Sequence, residues 1–462
     1  MRVPGRARAA FAFGFVLAFG LALALGRFPV IFAAMHSFHY ENGSLHCEGV
    51  NLDGLADEHG TPLYVYSKAT ILDHYRRLSA GMNELDCEIC YATKANSNLA
   101  VLNLLAKEGA GFDIVSGGEL FRIEKAGGDP GKCTFAGVGK TRAEIELGLE
   151  KGIYSFNAES EAEVAFINEV AGAMGKVAPV ALRVNPNVDA KTHKYISTGK
   201  SENKFGIDFE VIREAYERAA ALPNIQVRGL QMHIGSQLTS VNPFVEAVEK
   251  VTPLVEELKE KYGIEFFSIG GGIGIVYEDS LESGDSSWWA SREEKPLTIE
   301  EYAAQLVPLL KPLGLKIILE PGRFMVGNAG VLLTEVLYEK RGSVKTFKII
   351  DAAMNDLIRP ALYEGHHDIV PVKEPTGDET EPVDIVGPVC ESGDFFAQNR
   401  ELPPLETGDR IALLSAGAYG FVMASNYNTR PMPAEILVDG DQAHVIRRRQ
   451  TYEDLVAGEV IV

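Results

Sequence analysis

The residue best placed for covalent chemistry is Lys94, in the stretch 87–98 that reads CEICYATKANSN. Residues 88–92 have strand character and end just before Lys94, and Asn96 and Asn98 precede a helical pattern of leucines. A lysine at the carboxyl end of such a strand faces the mouth of an α/β structure. There a partly desolvated amine can lose its proton and attack a carbonyl, which is Schiff-base chemistry. One lysine among 44 Lys and Arg residues is more often a solvated surface residue, so its surroundings decide its role.

Lys94 lies in the first of eight strand-helix units. Most of the eight predicted strands are largely apolar, which is typical of strands buried on both faces of a parallel sheet. Each strand is followed by a predicted helix or a loop, and eight units favour a closed (β/α)8 barrel of the TIM type over an open sheet. The predicted strands cover residues 87–92, 111–115, 133–138, 153–157, 180–184, 227–233, 266–269 and 315–319.

The other chemically promising residues recur toward the carboxyl ends of these strands. Asp113 lies on the second strand, HIGS at 233–236 ends the sixth, GGGIG at 270–274 ends the seventh, and EPGR at 320–323 ends the eighth. In a closed barrel these ends share one rim, where active sites lie. Each motif alone is weak, because the glycines also fit a simple tight turn and do not match the dinucleotide pattern GxGxxG. A single histidine is also compatible with a satisfied core position.

Together on one rim, these groups predict a cofactor site. Glycine amides and Ser236 would form a phosphate cradle, His233 a flat stacking group, Lys94 an amine and Glu320 a carboxylate. That set suits a flat, phosphorylated ring that carries an aldehyde, which is pyridoxal 5'-phosphate.

Length and charge restrict the possible function classes. The chain has 462 residues, 46% hydrophobic and 23% charged, which is enough for two or three domains. A net charge of -20 and a pI near 5.0 argue against a nucleic-acid partner, which favours a basic surface. Five scattered cysteines, an odd and sparse number, predict a reducing compartment and hence a cytoplasmic location rather than a disulfide framework.

The first 34 residues differ from the rest of the chain. Arg2, Arg6 and Arg8 precede a long apolar run, which resembles a signal peptide or a membrane anchor. No clear cleavage site follows, and Met35 begins an ordinary soluble sequence. Two alternatives therefore stay open: a mis-assigned start, with Met35 as the working initiator, and a signal or anchor segment.

The pattern changes after the barrel. Residues 324–462 carry strands and turns with few helical stretches, which predicts a separate β-domain. Residues 35–62 are short and turn-rich, with an Asn42-Gly43 hairpin signal, and we expect them to join that domain. The barrel is then expected to span residues 63–323. Strands are predicted in the β-domain over 331–337, 346–351, 383–386, 410–414, 435–438 and 444–447.

Seven ordered motifs resemble those of the alanine-racemase-fold decarboxylases, which depend on pyridoxal phosphate. The resemblance begins near Met35, and the motifs read YATKAN (91–96), HIGSQ (233–237), GGGIG (270–274), EPGR (320–323), RPALY (359–363), GPVCESGD (387–394) and GAYG (417–420). The resemblance implies a TIM-type barrel with a C-terminal β-domain. It also implies decarboxylation of meso-2,6-diaminopimelate to L-lysine and CO2, the last step of lysine biosynthesis. The alternatives are decarboxylation of ornithine, arginine, lysine or a carboxylated polyamine, racemisation of an amino acid, and a regulatory homologue without catalysis.

By the same resemblance, each motif residue has an expected role. Lys94 would hold the cofactor as a Schiff base, and Cys390 would return a proton to the carbanion left by CO2. Cofactor binding is expected from Lys94, Asp113, His233, Gly235, Ser236, Gly272, Gly274, Glu320, Gly322, Arg323 and Tyr419. Substrate binding is expected from Arg323, Arg359, Tyr363, Glu391 and Tyr419, and guanidinium groups match a distal carboxylate bidentately.

The resemblance also implies a homodimer with shared active sites, in which Cys390 and Glu391 reach the partner subunit's site. Each of these residues has an ordinary alternative when it is taken alone. Cys390 is compatible with a small buried hydrophobic position, Glu391 with a solvated loop, and Arg359 with a surface position. Only their order among the seven motifs favours the functional interpretation.

No metal ion is expected. The run His366-His367-Asp368 suggests a metal site at first sight, but adjacent histidines on a strand or loop rarely share one ion. We therefore interpret these three as surface residues.

Overall fold

A computed structural model describes residues 36–188, 204–293 and 295–462. The apolar N-terminal extension, residues 1–34, lies outside the described residues. Within the described ranges, no helix combines the length and the apolar composition that a membrane crossing requires.

Eight parallel strands close into a barrel, as the sequence pattern predicts. Each strand pairs with the next, and the ring closes where the eighth strand pairs with the first. The strands are Cys87–Ala92, Gly111–Ile114, Cys133–Phe135, Ser155–Ala158, Ala178–Asn185, Ile225–Met232, Phe266–Gly270 and Lys316–Leu319. A two-residue strand, Ile207–Asp208, pairs with the carboxyl end of Ala178–Asn185.

Helices alternate with the barrel strands, and polar caps mark where most of them begin. Asn98 caps the helix that follows Lys94 by accepting a hydrogen bond from the Ala100 N–H, and Thr141 forms a capping box with Glu144. These helices are Lys68–Gly81, Leu99–Lys107, Gly117–Lys125, Arg142–Lys151, Glu161–Ala173, Ile212–Ala220, Asn242–Tyr262 and Ile299–Leu310. Shorter helices are Leu52–His59, Ser286–Ser291, Arg323–Val326, Arg359–Tyr363 and Tyr452–Leu455.

The barrel interior changes from apolar to polar toward the carboxyl ends of its strands. One buried apolar cluster takes a residue from each of four strands: Cys90, Ala181, Phe266 and Ile318. Side chains of a strand alternate between its two faces, so residues two positions further along point the same way. Those residues are Ala92, Arg183, Ser268 and Glu320, all of them buried. The period-two pattern therefore places polar side chains beyond an apolar layer of the barrel.

The chain also forms a second, mostly antiparallel sheet, which is the core of the β-domain. Its strands are Leu63–Ser67, Gly330–Arg341, Thr346–Ile350, Ile369–Pro371, Glu381–Val386, Phe395–Leu402, Arg410–Leu413, Ala434–Asp439 and Gln442–Arg447. The six strands predicted after the barrel are all present. Two others, Ile369–Pro371 and Phe395–Leu402, are not evident from the sequence, because the longer one reads FFAQNREL and lacks apolar alternation.

The strand Leu63–Ser67 corrects the expected start of the barrel. It pairs with Gly330–Arg341 and Ala434–Asp439 in the second sheet, and not with a barrel strand. All five of its residues are buried. A short buried strand has the same apolar pattern in the middle of either sheet, so its sequence does not distinguish the two. The chain enters the barrel domain after Ser67.

The first described residues form a three-stranded sheet of Phe38–Glu41, Ser44–Cys47 and Val50–Asn51. The first two strands form a hairpin, as the Asn-Gly signal predicts, and its turn residues Asn42 and Gly43 have φ angles of +52° and +80°. The apolar side chains of this small sheet share one buried cluster with side chains of the second sheet.

Candidate active site

A cavity of about 590 Å³ lies where the carboxyl ends of the barrel strands meet the β-domain. It brings together residues from distant parts of the chain. Of the residues expected at the site, it is lined by Lys94, Asp113, His233, Ser236, Gly272, Glu320, Gly322, Arg323, Arg359, Tyr363 and Tyr419. Gly235 and Gly274 belong to the loops that carry Ser236 and Gly272, and they do not line the cavity themselves.

Lys94 lies on a single 3-10 turn, Thr93–Ala95, immediately after the first barrel strand. Its Nζ donates a hydrogen bond to Oδ2 of Asp113 at 2.9 Å, and its side chain is 41% exposed, so a ligand can reach it. Burial lowers the pKa of Lys94, but Asp113, with help from Tyr419 and Glu320, raises it by more, so the net change is upward. Desolvation alone would favour the neutral amine, but the contact with Asp113 favours the ammonium form of the free Lys94 side chain.

The β-domain holds the turn that carries Lys94. The Tyr419 N–H donates a hydrogen bond to the Ala95 carbonyl at 2.8 Å, and Asn96 Nδ2 donates to the Gly417 carbonyl at 3.3 Å. The GAYG motif therefore positions the lysine turn through its backbone, in addition to the role expected for its tyrosine side chain.

Glu320 is the buried acid of the site. Its Oε1 accepts hydrogen bonds from Ser268 Oγ at 2.8 Å and Asn157 Nδ2 at 3.3 Å, and its Oε2 accepts one from Gln231 Nε2 at 3.0 Å. Burial, followed by the Asp113 carboxylate, raises the pKa of Glu320 to about 7, although the bonds from Ser268 and Gln231 lower it. A cationic group beside Glu320 would therefore stabilise its charged form.

Asn157, Ser268 and Gln231 are functional candidates that the sequence analysis misses. Each is a buried polar residue on a barrel strand. In the sequence, such residues can be recognised as polar positions within a largely apolar strand. A polar group buried there requires a hydrogen-bond partner, which indicates a second polar residue nearby. Here that partner is Glu320.

His233 presents a neutral imidazole to the cavity. Its Nδ1 accepts a hydrogen bond from the Gly271 N–H at 3.2 Å. Burial, together with Arg183 and Lys94, lowers the pKa of His233 well below 6.5. Arg183, also missed by the sequence analysis, donates to the His233 carbonyl at 3.3 Å and to Glu159 at 2.9 Å. The ring is thus held uncharged, as suits a group that stacks on a flat ligand.

Gly272 shapes the loop that follows the seventh barrel strand. Its φ angle is +109°, and a Cβ at this position would lie 2.5 Å from the Gly235 carbonyl oxygen, so only glycine fits. The Gly272 carbonyl accepts a hydrogen bond from the Leu238 N–H at 2.9 Å, which joins the two loops. The Gly272 N–H donates to none of the described residues and is available to an anion.

Arg323 and Arg359, together called the arginine pair, both contact Tyr277. The Nη1 of Arg323 donates to the Tyr277 hydroxyl at 2.5 Å, and its Nη2 donates to Ser236 Oγ at 3.1 Å. The guanidinium of Arg359 lies 4.6 Å from the centroid of the Tyr277 ring and donates to Nε2 of His367 at 2.6 Å. Each arginine is only 7% exposed.

Among the described residues, no carboxylate compensates the charge of the arginine pair. Within residues 36–188, 204–293 and 295–462, neither guanidinium lies within 4.0 Å of an Asp or Glu oxygen. Burial lowers the pKa of Arg359, and the proximity of Arg323 lowers it further. Buried cations without a counterion are unfavourable unless a ligand supplies negative charge. The arginine pair is therefore a candidate site for an anion.

The interpretation of His366-His367-Asp368 as surface residues is wrong for His367. His367 is fully buried, and its Nδ1 donates a hydrogen bond to the Leu414 carbonyl at 2.8 Å. His366 instead contacts Asp368 at 2.8 Å. In the described part of the chain, no group of three His, Cys, Asp or Glu residues is arranged to hold a metal ion.

Comparison with known proteins identifies the family. Residues 68–327 match the family described as pyridoxal-dependent decarboxylase, pyridoxal binding domain. The diaminopimelate decarboxylase of Vibrio cholerae is 48% identical over 93% of this chain and 100% of the relative. The chain belongs to the diaminopimelate decarboxylase family.

Solved structures of this family share the fold. The diaminopimelate decarboxylase of Helicobacter pylori, in complex with L-lysine, is 41% identical with a TM-score of 0.81, over 88% of this chain and 98% of that chain. The enzyme of M. jannaschii in complex with L-lysine is 39% identical with a TM-score of 0.84, over 92% and 98% of the two chains. The predicted architecture, a barrel with a β-domain, is confirmed.

The family is pyridoxal-dependent, and the cavity fits a pyridoxal phosphate. For such a cofactor, Lys94 would offer an amine to the aldehyde, Glu320 a carboxylate to the ring nitrogen, His233 a flat uncharged face, and Gly272 an amide N–H to the phosphate. Among the described residues, Oδ1 of Asp113 is buried without a hydrogen-bond partner, which leaves an acceptor for a bound ring.

Cys390 and Glu391 lie outside this cavity. Both are exposed, and the Cys390 N–H donates to Asn428 Oδ1 at 3.0 Å. Neither residue lines the cavity of its own chain. Their expected roles therefore require a second subunit.

Proposed function

We propose that this protein decarboxylates meso-2,6-diaminopimelate to L-lysine and CO2, the last step of lysine biosynthesis, with pyridoxal 5'-phosphate as cofactor. The arginine pair carries the proposal. It lies in the same cavity as Lys94, and two buried cations without a carboxylate partner suit a substrate that has a second carboxylate. The relatives named above are diaminopimelate decarboxylases, and two of them were solved with L-lysine, which supports this substrate.

The residues around Lys94 hold the cofactor and prepare the amine. When bound, pyridoxal phosphate supplies an electron sink for the pair of electrons left by departing CO2. Lys94 would supply the amine for the aldehyde, and Asp113 would be the adjacent acceptor for the proton that this amine must lose. Glu320 would accept a hydrogen bond from a protonated ring nitrogen, and His233 would lie against the ring.

The glycine-rich loops and their neighbours bind the phosphate. Expected there are Gly235, Ser236, Gly272, Gly274, Gly322, Arg323 and Tyr419. Several contacts support this assignment. Arg323 already donates to Ser236, and a Cβ on Gly322 would lie 3.4 Å from the Tyr419 hydroxyl oxygen, so these groups converge.

The arginine pair, with Tyr363, binds the distal carboxylate of the substrate. The same charges disfavour the alternative decarboxylases for ornithine, arginine and lysine, whose substrates end in a cation. Such an end would face two guanidinium groups, and like charges repel strongly in a cavity of low dielectric constant.

The enzyme is proposed to act as a homodimer with shared active sites. Cys390 would return a proton to the substrate carbon after CO2 leaves, and Glu391 would bind the distal ammonium, both in the partner subunit's site. Their exposure, away from the cavity of their own chain, supports this arrangement. The five free cysteines support a reducing, cytoplasmic location.

Turnover on a panel of amino acids tests the proposal. The purified protein, supplied with pyridoxal phosphate, is incubated with meso-diaminopimelate, ornithine, arginine and lysine, and products are identified by mass spectrometry. We expect lysine from the meso compound and no comparable product from the others. Efficient turnover of a substrate with a purely cationic distal end would support the alternative. A protein that converts none of them would contradict catalysis altogether.

A further inference from the structure

We propose that His367 is a positioning residue that sets substrate specificity: its uncharged imidazole orients Arg359 without cancelling the guanidinium charge, so that the substrate's distal carboxylate supplies the countercharge. This inference rests on the proposed function of the arginine pair. It gives a role to a residue that lies outside the seven sequence motifs.

The hydrogen bonds of His367 define its protonation. Leu414 offers a carbonyl oxygen, which only accepts, so the imidazole proton lies on Nδ1, 2.8 Å away. Arg359 only donates, so Nε2 must be the acceptor of its Nη1 group at 2.6 Å. Both contacts together require the neutral tautomer with its proton on Nδ1. Burial, followed by Arg359, lowers the pKa of His367 well below 6.5, in agreement with this state.

Tyr277 completes the frame around Arg359. Its ring lies edge-on to His367, with centroids 5.4 Å apart and planes at 85°, and the Arg359 guanidinium lies 4.6 Å from its centroid. The guanidinium is therefore held between an aromatic face and a neutral acceptor. Neither group carries a negative charge. Tyr277 and His367 therefore orient the Arg359 guanidinium but do not compensate its positive charge.

Outside the arginine pair, the buried Lys and Arg residues of the described chain are treated differently. Lys140 contacts Glu163 at 2.6 Å, Arg183 contacts Glu159 at 2.9 Å, and Lys348 contacts Glu339 at 2.6 Å. Each of these cations thus has a carboxylate of its own, including Arg183, which lines the same cavity. Arg359 is equally buried, and in the described ranges its polar partner is an imidazole. Arg359 lines the cavity, where a bound ligand can provide the negative charge that the described residues do not.

Two substitutions at His367 separate orientation from charge. His367→Gln keeps a neutral acceptor beside Arg359, whereas His367→Glu places a carboxylate there. In the holoenzyme, we expect the Gln variant to keep the KM for meso-diaminopimelate within about threefold of wild type. We expect the Glu variant to raise that KM by about 100-fold with kcat little changed, because Arg359 is neutralised before the substrate arrives.

L-Lysine has an ammonium but no carboxylate at its distal end, so comparing its turnover with that of meso-diaminopimelate measures the specificity for the distal carboxylate. In His367→Glu, we expect the ratio of kcat/KM for meso-diaminopimelate to that for L-lysine to fall by at least about 30-fold. Fold is checked by the melting temperature and by the absorbance of the bound cofactor. If the Glu variant does not fold, His367→Leu, which removes the acceptor, is expected to raise KM by about tenfold. The inference would be overturned if the folded variant, His367→Glu or otherwise His367→Leu, had the same KM for meso-diaminopimelate as the wild type.

A double-mutant cycle with Arg359→Gln tests whether His367 acts through Arg359. In the Arg359→Gln background, we expect His367→Glu to change KM by less than about threefold. The full effect in that background would also overturn the inference. Failure of the proposed function gives a different result, because the wild-type protein would then form no lysine from meso-diaminopimelate.

Discussion

Two parts of one cavity treat charge in opposite ways. In the lysine pocket, formed by Lys94, Asp113 and Glu320, the ammonium contacts a carboxylate at 2.9 Å, and the buried acid accepts three hydrogen bonds from neutral side chains. In the arginine pair, two buried guanidinium groups contact tyrosines, a serine and a histidine, with no carboxylate within 4.0 Å among the described residues.

The difference separates groups that are prepared for chemistry from groups that wait for a ligand. A charge already paired within the chain keeps a defined protonation state before any ligand binds. A buried charge left unpaired carries a desolvation cost that a ligand of opposite charge removes, so it favours that ligand over all others. The lysine pocket is therefore assigned to the cofactor and the arginine pair to the carboxylate that distinguishes the substrate, with Arg323 also expected beside the cofactor phosphate.

The largest expected effect comes from removing the amine of the lysine pocket. In Lys94→Ala we expect turnover of meso-diaminopimelate to fall by at least about 10^4-fold, because no other group offers an amine to the cofactor. The absorbance of the lysine-bound cofactor is expected to disappear. Lys107→Ala, which removes an exposed lysine, serves as the control and should behave as wild type. Unchanged turnover and absorbance in Lys94→Ala would refute the assignment of this pocket.

The next effect comes from removing one charge of the arginine pair. We expect Arg359→Gln to raise the KM for meso-diaminopimelate by about 30- to 1000-fold, corresponding to about 2–4 kcal/mol for a buried charge pair, with kcat less affected. Steady-state kinetics measures both constants. Arg76→Gln removes an arginine that pairs with Glu108 on the surface, and it should leave both constants unchanged. If Arg359→Gln lowers kcat and leaves KM unchanged, the two parts of the cavity are not separate in function.

Glu320 allows the lysine pocket to be tested through stability. Its pKa rises from an ordinary 4.5 to about 7, chiefly by burial and then by Asp113. The folded state therefore binds this proton more tightly than the unfolded chain, so the contribution to stability is full below about pH 4.5 and is lost as the pH rises through about 7. We expect Glu320→Gln, which does not titrate, to lose less stability than wild type between about pH 5 and about pH 8.

Thermal melting of the protein without added cofactor measures this difference. The neutral amide keeps the size of the side chain, so the comparison isolates the proton. Identical pH dependence of the two melting temperatures would show that Glu320 is charged over the whole range.

The smallest expected effect concerns the contact between the two arginines. Tyr277→Phe removes the hydroxyl that accepts a hydrogen bond from Arg323 but keeps the ring beside Arg359. We expect KM for meso-diaminopimelate to rise by about threefold to tenfold, since one hydrogen bond to a charged group contributes about 1 kcal/mol or slightly more. Steady-state kinetics with Tyr338→Phe, an exposed tyrosine, provides the matched control. A loss as large as that of Arg359→Gln would mean that the ring, too, has moved.

The barrel and much of the site could be predicted because they depend on local patterns. Apolar runs alternating with helical periodicity marked eight strands, and Lys94, Asp113, His233 and Glu320 followed from their positions on or at the ends of those strands. Strand ends are local features, and closure of the barrel then brings them to one rim. The same locality explains the one misplaced strand, Leu63–Ser67, whose five buried residues suit either sheet.

Other features depended on contacts that no local pattern contains. Asn157 and Gln231 interrupt largely apolar strands, but the position of Glu320 between them, which explains their role, follows only from the tertiary structure. The sequence favours a surface position for His367 only because adjacent histidines on a strand or loop rarely share one metal ion. It is buried, and its two ring nitrogens form hydrogen bonds with Arg359 and the Leu414 carbonyl, contacts that no local pattern indicates.

The sequence alone determines the strands, the helix caps and the residue types at the strand ends, because these features depend on only a few neighbouring positions. Which of those charges are balanced is a different matter. Lys94 meets Asp113 across two neighbouring strands, whereas Arg359 meets a histidine and a tyrosine and no acid among the described residues. Electrostatic compensation depends on distances of a few ångströms between residues far apart in sequence, and packing in three dimensions sets those distances.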